Sequence, residues 1–456
     1  MLAAELERSG AGPASVVLPG ADLAAAVAAL PASSEPRRVL HAWGRTMFTG
    51  TAASAARQVD DGFMPLFHLV GELLRSGGKG PVHLLCGYPA VDAGAPGYEA
   101  LGGFLRTAQR ENPRFAHRLA DLPEGEFAEL IEGRGPAAAR LAAELPDLPG
   151  APEQVRYRSG GREVRRWTRV SPPFVARPDA LRTGGTYLVT GGAGGLGALV
   201  ARWLAETASA RVVLAGRSPL GPAAEAVLAQ VHDAGGEARY VPADISTMEG
   251  AEAAVRAARE AYGELHGVFH AAGVLRDGFL VNLDAAQVAA VLAPKVAGAL
   301  HLDAATRSEP LDFFCLFASL AGPIGSVAQA GYAYANSFLD AFAGWRERQR
   351  AAGLRSGRTT SIDWPLWADG GMAVDDEVRE SLLRHFGMRP LDTTDGLRAL
   401  ATVLDNVTGQ IAYLPGDGSR LAAQLAGEPE SPPPPASLEE PATAPRRNRK
   451  RSWCGC

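Results

Sequence analysis

Three side chains late in the sequence have types and a spacing that suit proton and hydride chemistry. In the run FASLAGPIGSVAQAGYAYANSF, Ser319 is followed thirteen residues later by Tyr332 and four residues after that by Asn336. Tyr332 and Asn336 would share one face of a helix, because positions i and i+4 are neighbours there. A phenol can protonate the oxygen of a ketone that accepts hydride, and a serine hydroxyl can hold that oxygen. The set therefore predicts carbonyl reduction.

The tyrosine would need a cation beside it, because an unperturbed phenol has a pKa of about 10. A nearby ammonium favours the phenolate and lowers that pKa. The apolar helical run LAPKVAGALHL supplies Lys295, and we expect it to lower the pKa of Tyr332. Asn336 is expected to orient either a proton-relay water or the lysine. The predicted catalytic residues are therefore Lys295, Ser319, Tyr332 and Asn336.

A glycine-rich run, TGGAGGLG, lies upstream between a strand-like and a helix-like stretch. Glycines allow a tight turn and let backbone amides approach a pyrophosphate, which would lie at the N-terminus of the following helix. A turn alone could explain a short glycine motif, but the flanking elements favour a dinucleotide site. We expect this site to include Thr190, Gly191, Gly192, Gly194, Gly195, Leu196 and Gly197.

The residues after the next predicted strand distinguish the two nicotinamide cofactors. Arg217 and Ser218 stand where a carboxylate would bind the ribose of NAD, and their donors suit the 2′-phosphate of NADPH instead. The alternative is a solvated surface arginine. Asp244 and Ile245 end the following strand and are expected to meet the adenine, although an acidic residue there is often a turn former.

The elements that would position these residues alternate between strand and helix. Helix-like stretches separate the first six of seven candidate strands, which predicts an α/β fold with a doubly wound parallel (Rossmann) sheet. The functional residues would then lie at the carboxyl edge of the sheet. The candidate strands are 186–190, 211–217, 238–245, 267–273, 311–319, 359–364 and 410–414.

The earlier part of the chain has a second α/β pattern without a glycine-rich phosphate loop. We predict strands over 37–43 and 80–87, helices over 63–74 and 98–113, and a hairpin over 155–167. The division is therefore expected at residues 1–177, 178–426 and 427–456. The last segment is rich in proline and charge and is predicted to be disordered.

Composition excludes several classes of partner. The formal charge of −5 over 456 residues favours no nucleic acid. Four cysteines suit a reducing compartment, the N-terminus is a poor signal peptide, and no run of about 18 apolar residues predicts a membrane helix. The expected compartment is the cytoplasm. The Cys454 and Cys456 pair cannot complete a tetrahedral zinc site, so no metal is predicted.

Taken together, these residues resemble the short-chain dehydrogenase/reductase family. TGGAGGLG is similar to its glycine motif, and HAAG is similar to the segment that supports the central strand, which adds Ala271, Ala272 and Gly273 to the expected cofactor site. In most of that family a lysine follows the tyrosine by four residues. Here Asn336 holds that position and Lys295 comes earlier, as in polyketide and fatty acid synthase ketoreductases.

The resemblance to these ketoreductases covers most of the chain. Residues 1–177 look like their N-terminal structural subdomain, a truncated relative of the catalytic one, down to FLRTAQRENPRF and GGREVRRW. SIDWPLWADGGM is similar to the stretch before the substrate lid in trans-acyltransferase assembly lines. The chain opens on what looks like the helix after the subdomain's first strand. We expect either preceding chain or a neighbouring polypeptide to supply that strand.

This resemblance implies reduction of a β-ketoacyl group on an acyl carrier protein, with hydride from NADPH and with other polyketide synthase modules as partners. It makes Tyr332 the proton donor, Ser319 the holder of the carbonyl, Lys295 the tuner of Tyr332 and Asn336 the support of the relay. Asp277 marks the B-type stereochemistry of the family, and Ile324 replaces the tryptophan of the A-type. Two alternatives are a free-standing reductase of small carbonyl compounds and a non-catalytic module that binds NADPH or scaffolds its neighbours.

Overall fold

The structure is a computed structural model of the 456-residue chain. It describes residues 22–29, 36–90, 94–132, 135–145, 153–158, 161–370, 379–380, 383–384 and 387–416. The predicted tail 427–456, with Cys454 and Cys456, and the residues before Asp22 lie outside the described ranges.

The first half of the molecule, whose strands lie between Arg37 and Val164, contains a five-stranded sheet. Its strands are β1 (Arg37–His41), β2 (Val82–Ala90), β3 (Phe115–Pro123), β4 (Gln154–Arg158) and β5 (Gly161–Val164). They follow the order β1-β2-β3-β4-β5, with parallel pairs up to β4 and an antiparallel pair between β4 and β5. The predicted strands over 37–43 and 80–87 and the predicted hairpin are confirmed.

The sequence did not predict β3, because its run FAHRLADLP carries charged residues that are buried. Arg118 is fully buried and pairs with Glu144, and Asp121 is almost fully buried and pairs with Arg156 at 2.7 Å. Buried charges are tolerated when they are paired in this way. Hydrophobic pattern alone could not identify such a strand.

The helices of the first half cover both faces of this sheet. They are α1 (Leu23–Ala28), α2 (Ala52–Gln58), α3 (Met64–Arg75), α4 (Pro96–Glu99), α5 (Leu101–Glu111), α6 (Glu124–Ile131) and α7 (Ala137–Glu144). A single π-helical turn, Val59–Phe63, joins α2 to α3. The helix expected over 63–74 corresponds to α3, and α5 ends before Pro113 as the sequence predicts.

The second half of the molecule, whose strands lie between Thr186 and Ala412, contains the predicted doubly wound sheet. Its strands are β6 (Thr186–Thr190), β7 (Arg211–Gly216), β8 (Glu237–Pro242), β9 (Gly267–His270), β10 (Phe313–Ser319), β11 (Arg358–Trp364) and β12 (Gly409–Ala412). They follow the order β12-β11-β10-β9-β6-β7-β8, and every neighbouring pair is parallel. The order reverses between β6 and β9, and parallel α/β sheets bind ligands at such a point.

The helices of the second half alternate with its strands. They are α8 (Gly195–Ala208), α9 (Pro222–Asp233), α10 (Met248–Tyr262), α11 (Ala285–Leu292), α12 (Gly298–Ala305), α13 (Ala321–Ile324), α14 (Ala330–Ala351) and α15 (Thr393–Asn406). A second π-helical turn, Ala293–Ala297, joins α11 to α12.

The helical run Ala285–Ala305 is long and apolar enough, by length and composition only, to cross a membrane. The sequence analysis predicted no such run. Half of the run's most apolar window is buried, and Val288, Val291 and Leu300 belong to the hydrophobic core. Lys295 is buried at its centre. We therefore interpret the run as a core helix.

The two halves share one continuous core along α14. A Cβ atom added at Gly103 of α5 would lie 2.5 Å from the carbonyl oxygen of Ala333, so the two helices are in close contact there. Tyr334 of α14 stacks on Phe63 with 3.9 Å between ring centroids, and its hydroxyl donates to the carbonyl oxygen of Gly97 at 2.8 Å. The helix that carries Tyr332 is thus held by the first half.

Candidate active site

Ser319 and Tyr332 lie on neighbouring elements at the carboxyl edge of the second sheet. Ser319 ends β10, and its Oγ atom accepts a hydrogen bond from the Ala321 amide at 3.2 Å. Tyr332 lies in the first turn of α14. Burial raises the pKa of Tyr332, while hydrogen bonding with Ser319 and Asn336 acts in the opposite direction. The phenol therefore stays protonated at neutral pH.

Lys295 lies in the middle of the π-helical turn that joins α11 to α12 and is only 4% exposed. Such turns are rare and are often found at functional sites. Its Nζ atom donates to the carbonyl oxygen of Phe317 at 2.8 Å and lies 5.6 Å from the centroid of the Tyr332 ring. The turn and β10 together point this ammonium into the site.

The net pKa of Tyr332 does not shift in the direction expected from a neighbouring ammonium. Burial lowers the pKa of Lys295 itself to about 8, opposed by the negative charges of Asp340 and Asp363. The pKa of Tyr332 is raised and not lowered, because burial outweighs its favourable hydrogen bonds. The sequence could place the two side chains near each other but could not give the degree of burial.

Asn336 is fully buried one turn after Tyr332. Its Nδ2 atom donates to the carbonyl oxygen of Tyr332 at 2.8 Å. Its Oδ1 atom has no hydrogen-bond partner among the described residues. An unsatisfied buried acceptor costs about 1–3 kcal/mol, so this oxygen is available to a water or a ligand proton, as a relay position requires.

Two buried carboxyl groups behind Lys295 were not predicted from the sequence. Asp340 on α14 accepts a hydrogen bond from Ser361 Oγ at 2.6 Å, and Asp363 on β11 accepts one from Gln410 Nε2 at 2.7 Å. Burial raises the pKa of Asp340 to about 6, and burial together with the nearby Asp340 carboxylate also raises the pKa of Asp363. The signal was present in the sequence, because Asp340 follows Asn336 by four residues on one helix face and Asp363 lies between the apolar residues Ile362 and Trp364 of a predicted strand.

The glycines of the predicted phosphate loop are required by close approach of backbone. Gly191 has φ +69°, in the left-handed region that favours glycine. A Cβ atom at Gly192 would lie 2.8 Å from the side chain of Leu214, and one at Gly197 would overlap the carbonyl oxygen of Gly191. A Cβ atom at Gly195 would overlap Gly370, which follows β11. The loop is therefore tightly packed on three sides.

The start of α8 fits the pyrophosphate of a dinucleotide. Gly194 is the N-cap residue, and no side chain of the described residues caps this terminus. Gly194 and Gly195 are exposed, and Leu196 is half-buried. The free amides of a first helical turn and the helix dipole attract an anion. The residues present thus suit a nicotinamide dinucleotide.

Thr190 and the HAAG segment connect this loop to the reaction site. The Thr190 side chain is fully buried, and its Oγ1 atom is 2.8 Å from His270 Nδ1, so it joins β6 to β9. Ala271, Ala272 and Gly273 leave β9 beside the loop. A Cβ atom at Gly191 would be 3.0 Å from the Ala272 nitrogen, and one at Gly273 would be 3.1 Å from Lys295 Cε.

The residues expected at the adenosine end have different positions. Arg217 and Ser218 are exposed after β7, and Tyr240 donates to the Ser218 carbonyl oxygen at 2.7 Å, which fixes this turn. Asp244 is exposed and accepts hydrogen bonds from Ser246, as a turn former does. Ile245 is only 4% exposed and packs in the core. The expected contact between Ile245 and the adenine stays a prediction, and with this side chain buried it would involve the Ile245 backbone.

Asp277 and Ile324, the two residues that bear on the expected product stereochemistry, differ in their exposure and contacts. Asp277 is exposed and accepts a hydrogen bond from Gln329 Nε2 at 3.1 Å, and the Gly278 amide donates to Ala328 at 2.8 Å. Ile324 is 9% exposed and packs with Leu320 and Met388. The charge of Asp277 helps to raise the pKa of Tyr332, whereas Ile324 is buried in a small apolar cluster. In the described ranges no group of three or more His, Cys, Asp or Glu side chains could hold a metal ion.

Comparison with known proteins gives consistent matches to one group. A family model described as "KR domain" matches residues 185–369, and one described as "Beta-ketoacyl synthase-like, N-terminal" matches residues 22–131. Polyketide synthase PksL of Bacillus subtilis (strain 168) is 37% identical over 362 residues, which are 79% of this chain and 8% of that protein. The chain spans less than a fifth of the length of the curated relatives it matches.

Solved structures extend the match to the whole fold. The ketoreductase from the first module of phoslactomycin biosynthesis in Streptomyces sp. HK803 is 31% identical, with 91% of each chain covered and a TM-score of 0.67. An A1-type ketoreductase is 30% identical, with 94% of this chain and 88% of that chain covered and a TM-score of 0.74. A C2-type ketoreductase matches with a TM-score of 0.71. Enzymes of different type share the fold, so the fold does not decide the type.

Proposed function

Because this chain belongs to the ketoreductases of polyketide synthases, we propose that it reduces a β-ketoacyl thioester to the β-hydroxyacyl thioester with NADPH. It is an oxidoreductase of a nicotinamide-dependent family. The observation that carries the proposal is the convergence of Ser319, Tyr332 and Lys295 at the edge of the sheet beside the glycine loop.

NADPH, when bound, supplies the hydride. The amides of Gly195 to Gly197 would hold its pyrophosphate and Arg217 and Ser218 its 2′-phosphate, while Ala271 to Gly273 would border the nicotinamide side. Gly191 and Gly192 let this loop fold tightly against β7 and β9. These positions are inferred from the packing of the loop and its exposed helix terminus.

The chain's own residues would then manage the proton. The Ser319 hydroxyl holds the ketone oxygen, and Tyr332 donates its proton to that oxygen as negative charge develops there. A raised pKa keeps the phenol protonated and ready to donate. The buried ammonium of Lys295 stabilises the resulting phenolate, and the free Oδ1 atom of Asn336 orients the water that restores the proton.

We extend the proposal to the substrate and the product. The curated relatives are large polyketide synthases, which favours a substrate carried on the phosphopantetheine of an acyl carrier protein. The charge of Asp277 near Tyr332 and the burial of Ile324 support B-type product stereochemistry. A free-standing reductase would instead use small ketones as efficiently as carrier-bound ones, and a non-catalytic module would bind NADPH without oxidising it.

The test is NADPH oxidation by the full chain with a β-ketoacyl thioester, followed at 340 nm. We expect turnover by the wild type, and we expect Tyr332→Phe to lower kcat by at least about 100-fold with an unchanged Kd for NADPH. Binding of NADPH without turnover of any thioester or small ketone by the wild type would favour the non-catalytic module. Equal turnover by Tyr332→Phe would contradict the assigned role.

The cofactor proposal has its own test. Arg217→Ala should narrow the preference for NADPH over NADH by about tenfold, because one charge-assisted contact to a phosphate contributes roughly 1.5–3 kcal/mol. The measurement is kcat/KM with each cofactor, with Arg239→Ala on β8 as a control that keeps the net charge change. An unchanged ratio in Arg217→Ala would reject Arg217 as the contact to the 2′-phosphate.

A further inference from the structure

The loop that connects Ser319 to Tyr332 is held by one helix of the first half. Three consecutive contacts come from α5: Arg106 donates to the Gly322 carbonyl oxygen at 3.2 Å, Arg110 donates to that of Ile324, and Thr107 Oγ1 accepts from the Ser326 amide at 3.1 Å. Thr107 is fully buried at this contact. The loop therefore follows the surface of α5 along its length.

Gly325 makes this close approach possible. It has φ +73°, and a Cβ atom there would lie 2.8 Å from the carbonyl carbon of Arg106 and 2.9 Å from the nitrogen of Thr107. A side chain at this position would collide with helix backbone, which cannot move aside cheaply. Glycine at position 325 therefore allows the loop to pack directly on the backbone of α5.

Glu111, the last residue of α5, contacts two separate segments near Tyr332 at once. One carboxylate oxygen accepts the Leu280 amide at 2.8 Å, and the other accepts the Ala328 amide at 3.0 Å. Leu280 belongs to the segment after HAAG, and Ala328 belongs to the loop before Tyr332. A carboxylate with two oxygens is suited to bridge two backbone donors in this way.

The bridge holds two segments that also contact each other beside Tyr332. Ala328 is held at φ +63°, which an alanine rarely adopts, and it accepts the Gly278 amide at 2.8 Å. Next to it, Gln329 donates to Asp277 at 3.1 Å. Phe279, which lies between the hydrogen-bonded residues Gly278 and Leu280, is 53% exposed. Displacing either segment would therefore move Asp277 relative to Ser319 and Tyr332.

We propose that Glu111 is a positioning residue for the reduction, which fixes the spacing of the 277–280 and 326–329 segments and through it the orientation of the ketone. This inference rests on the proposed function for its chemical consequence, but the bridge itself can be tested without turnover. It also assigns a task to the first half beyond support: α5 is the template for the substrate side of the site.

The first experiment measures amide hydrogen exchange in the full chain. In Glu111→Gln the side-chain amide nitrogen faces a backbone N–H, so one of the two bonds is lost. We expect the Leu280 or Ala328 amide to exchange about tenfold faster than in the wild type. The matched control is Glu124→Gln, an exposed glutamate of the same half, which should leave both rates unchanged. Unchanged rates in Glu111→Gln would overturn the proposal whether or not the protein is an active reductase.

The second experiment measures kinetics and product configuration with a β-ketoacyl thioester. Glu111→Gln should raise the KM for the thioester about tenfold with a change in kcat of less than about threefold, and it should increase the minor hydroxyl isomer. The Kd for NADPH should stay within about twofold, which a merely unfolded variant could not show. Thr107→Val, which removes a single contact, should give a smaller change in the same direction. Faster exchange with the wild-type KM and product ratio would overturn the positioning role. If the wild type itself lacked turnover, the proposed function would fail while the exchange result still decided the bridge.

Discussion

The two halves of the molecule repeat one layout, and within the described residues the groups that could perform catalysis lie in the second half. In the first half, β1 leads to α2, a π-helical turn, α3 and β2. In the second half, β9 leads to α11, a π-helical turn, α12 and β10. Both layouts begin with a buried histidine followed by glycine three residues later, in HAWG (41–44) and HAAG (270–273). Burial lowers the pKa of His41 to about 4 and that of His270 to about 3.

The centre of the π-helical turn is where the halves differ most. Asp61 occupies the position in the first half that Lys295 occupies in the second. Asp61 accepts hydrogen bonds from Tyr98 Oη at 2.7 Å and from the amide and hydroxyl of Thr46 at 3.1 and 2.7 Å. The Tyr98 ring fills the space over Gly44, where a Cβ atom would lie 2.5 Å from it. The first half is therefore closed by groups that satisfy each other.

The second half leaves its corresponding groups available. Tyr332 is only partly covered, and Asn336 Oδ1 has no partner among the described residues. The difference shows how one fold can serve as scaffold or as catalyst. Replacing a cation by a carboxylate and filling the cleft removes the chemistry, while the sheet and helices that position it persist.

The largest expected effect distinguishes the two π-helical turns. Lys295→Met should lower kcat for thioester reduction by about 100-fold or more, because the cation that stabilises the Tyr332 phenolate is lost. Asp61→Asn should keep kcat within about twofold while lowering the free energy of unfolding by about 1–3 kcal/mol. Steady-state kinetics and chemical denaturation of both variants provide the comparison. A similar loss of kcat in Lys295→Met and Asp61→Asn would contradict the proposed difference between the two π-helical turns.

A second prediction concerns pH and needs the lysine of the second half. If the protonated Lys295 is the active form, the rate should fall as the pH rises through about 8. Asp340 raises the pKa of Lys295, so Asp340→Asn should move this alkaline limb to lower pH by about half a unit to one unit. The pH–rate profile measures the shift, and Asp395→Asn, an exposed aspartate on α15, is the control. An unshifted alkaline limb in Asp340→Asn would show that Asp340 does not raise the pKa of Lys295.

The smallest expected effect compares the two corresponding glycines. Gly44→Ala forces a methyl group against the pinned Tyr98 ring and should destabilise the fold by about 1–3 kcal/mol without changing kcat. Gly273→Ala places a methyl group 3.1 Å from Lys295 Cε. It should lower kcat about twofold to fivefold through a small displacement of the ammonium. Thermal unfolding should therefore detect the effect of Gly44→Ala, and kcat should detect the effect of Gly273→Ala. The same effect on both quantities in the two variants would contradict the structural role of Gly44 and the site role of Gly273.

The sequence predicted the second half better than the first for a physical reason. Strands such as β6 and β10 are buried on both faces of a parallel sheet and form apolar runs that alternate with helices. The predicted strand 186–190 agrees with β6 at both ends. In the first half, β3 carries His117 and Arg118 into the interior, and helices α6 and α7 were also missed. Pairing across the fold stabilises these elements, and a local pattern cannot show such pairing.

The site was predicted where the signal is local and missed where it is long-range. Lys295, Ser319, Tyr332 and Asn336 converge as the spacing and the family resemblance indicated. Thr190 and Ile245 remain predicted cofactor residues, but their side chains turn inward toward β9 and α12, which the sequence could not show. The role of Glu111 depends on contacts with residues more than 160 positions away. No pattern around Glu111 could have indicated that role.

The central claim is that Tyr332 of the second half performs the chemistry, whereas Tyr98 of the first half has only a structural role through its packing and its hydrogen bond to Asp61. Single-turnover oxidation of NADPH by a β-ketoacyl thioester, measured for Tyr332→Phe and Tyr98→Phe side by side, tests it most directly. The account predicts a loss of at least about 100-fold in the first variant and a rate within about twofold of the wild type in the second. Comparable rates in the two variants, or the larger loss in Tyr98→Phe, would contradict it.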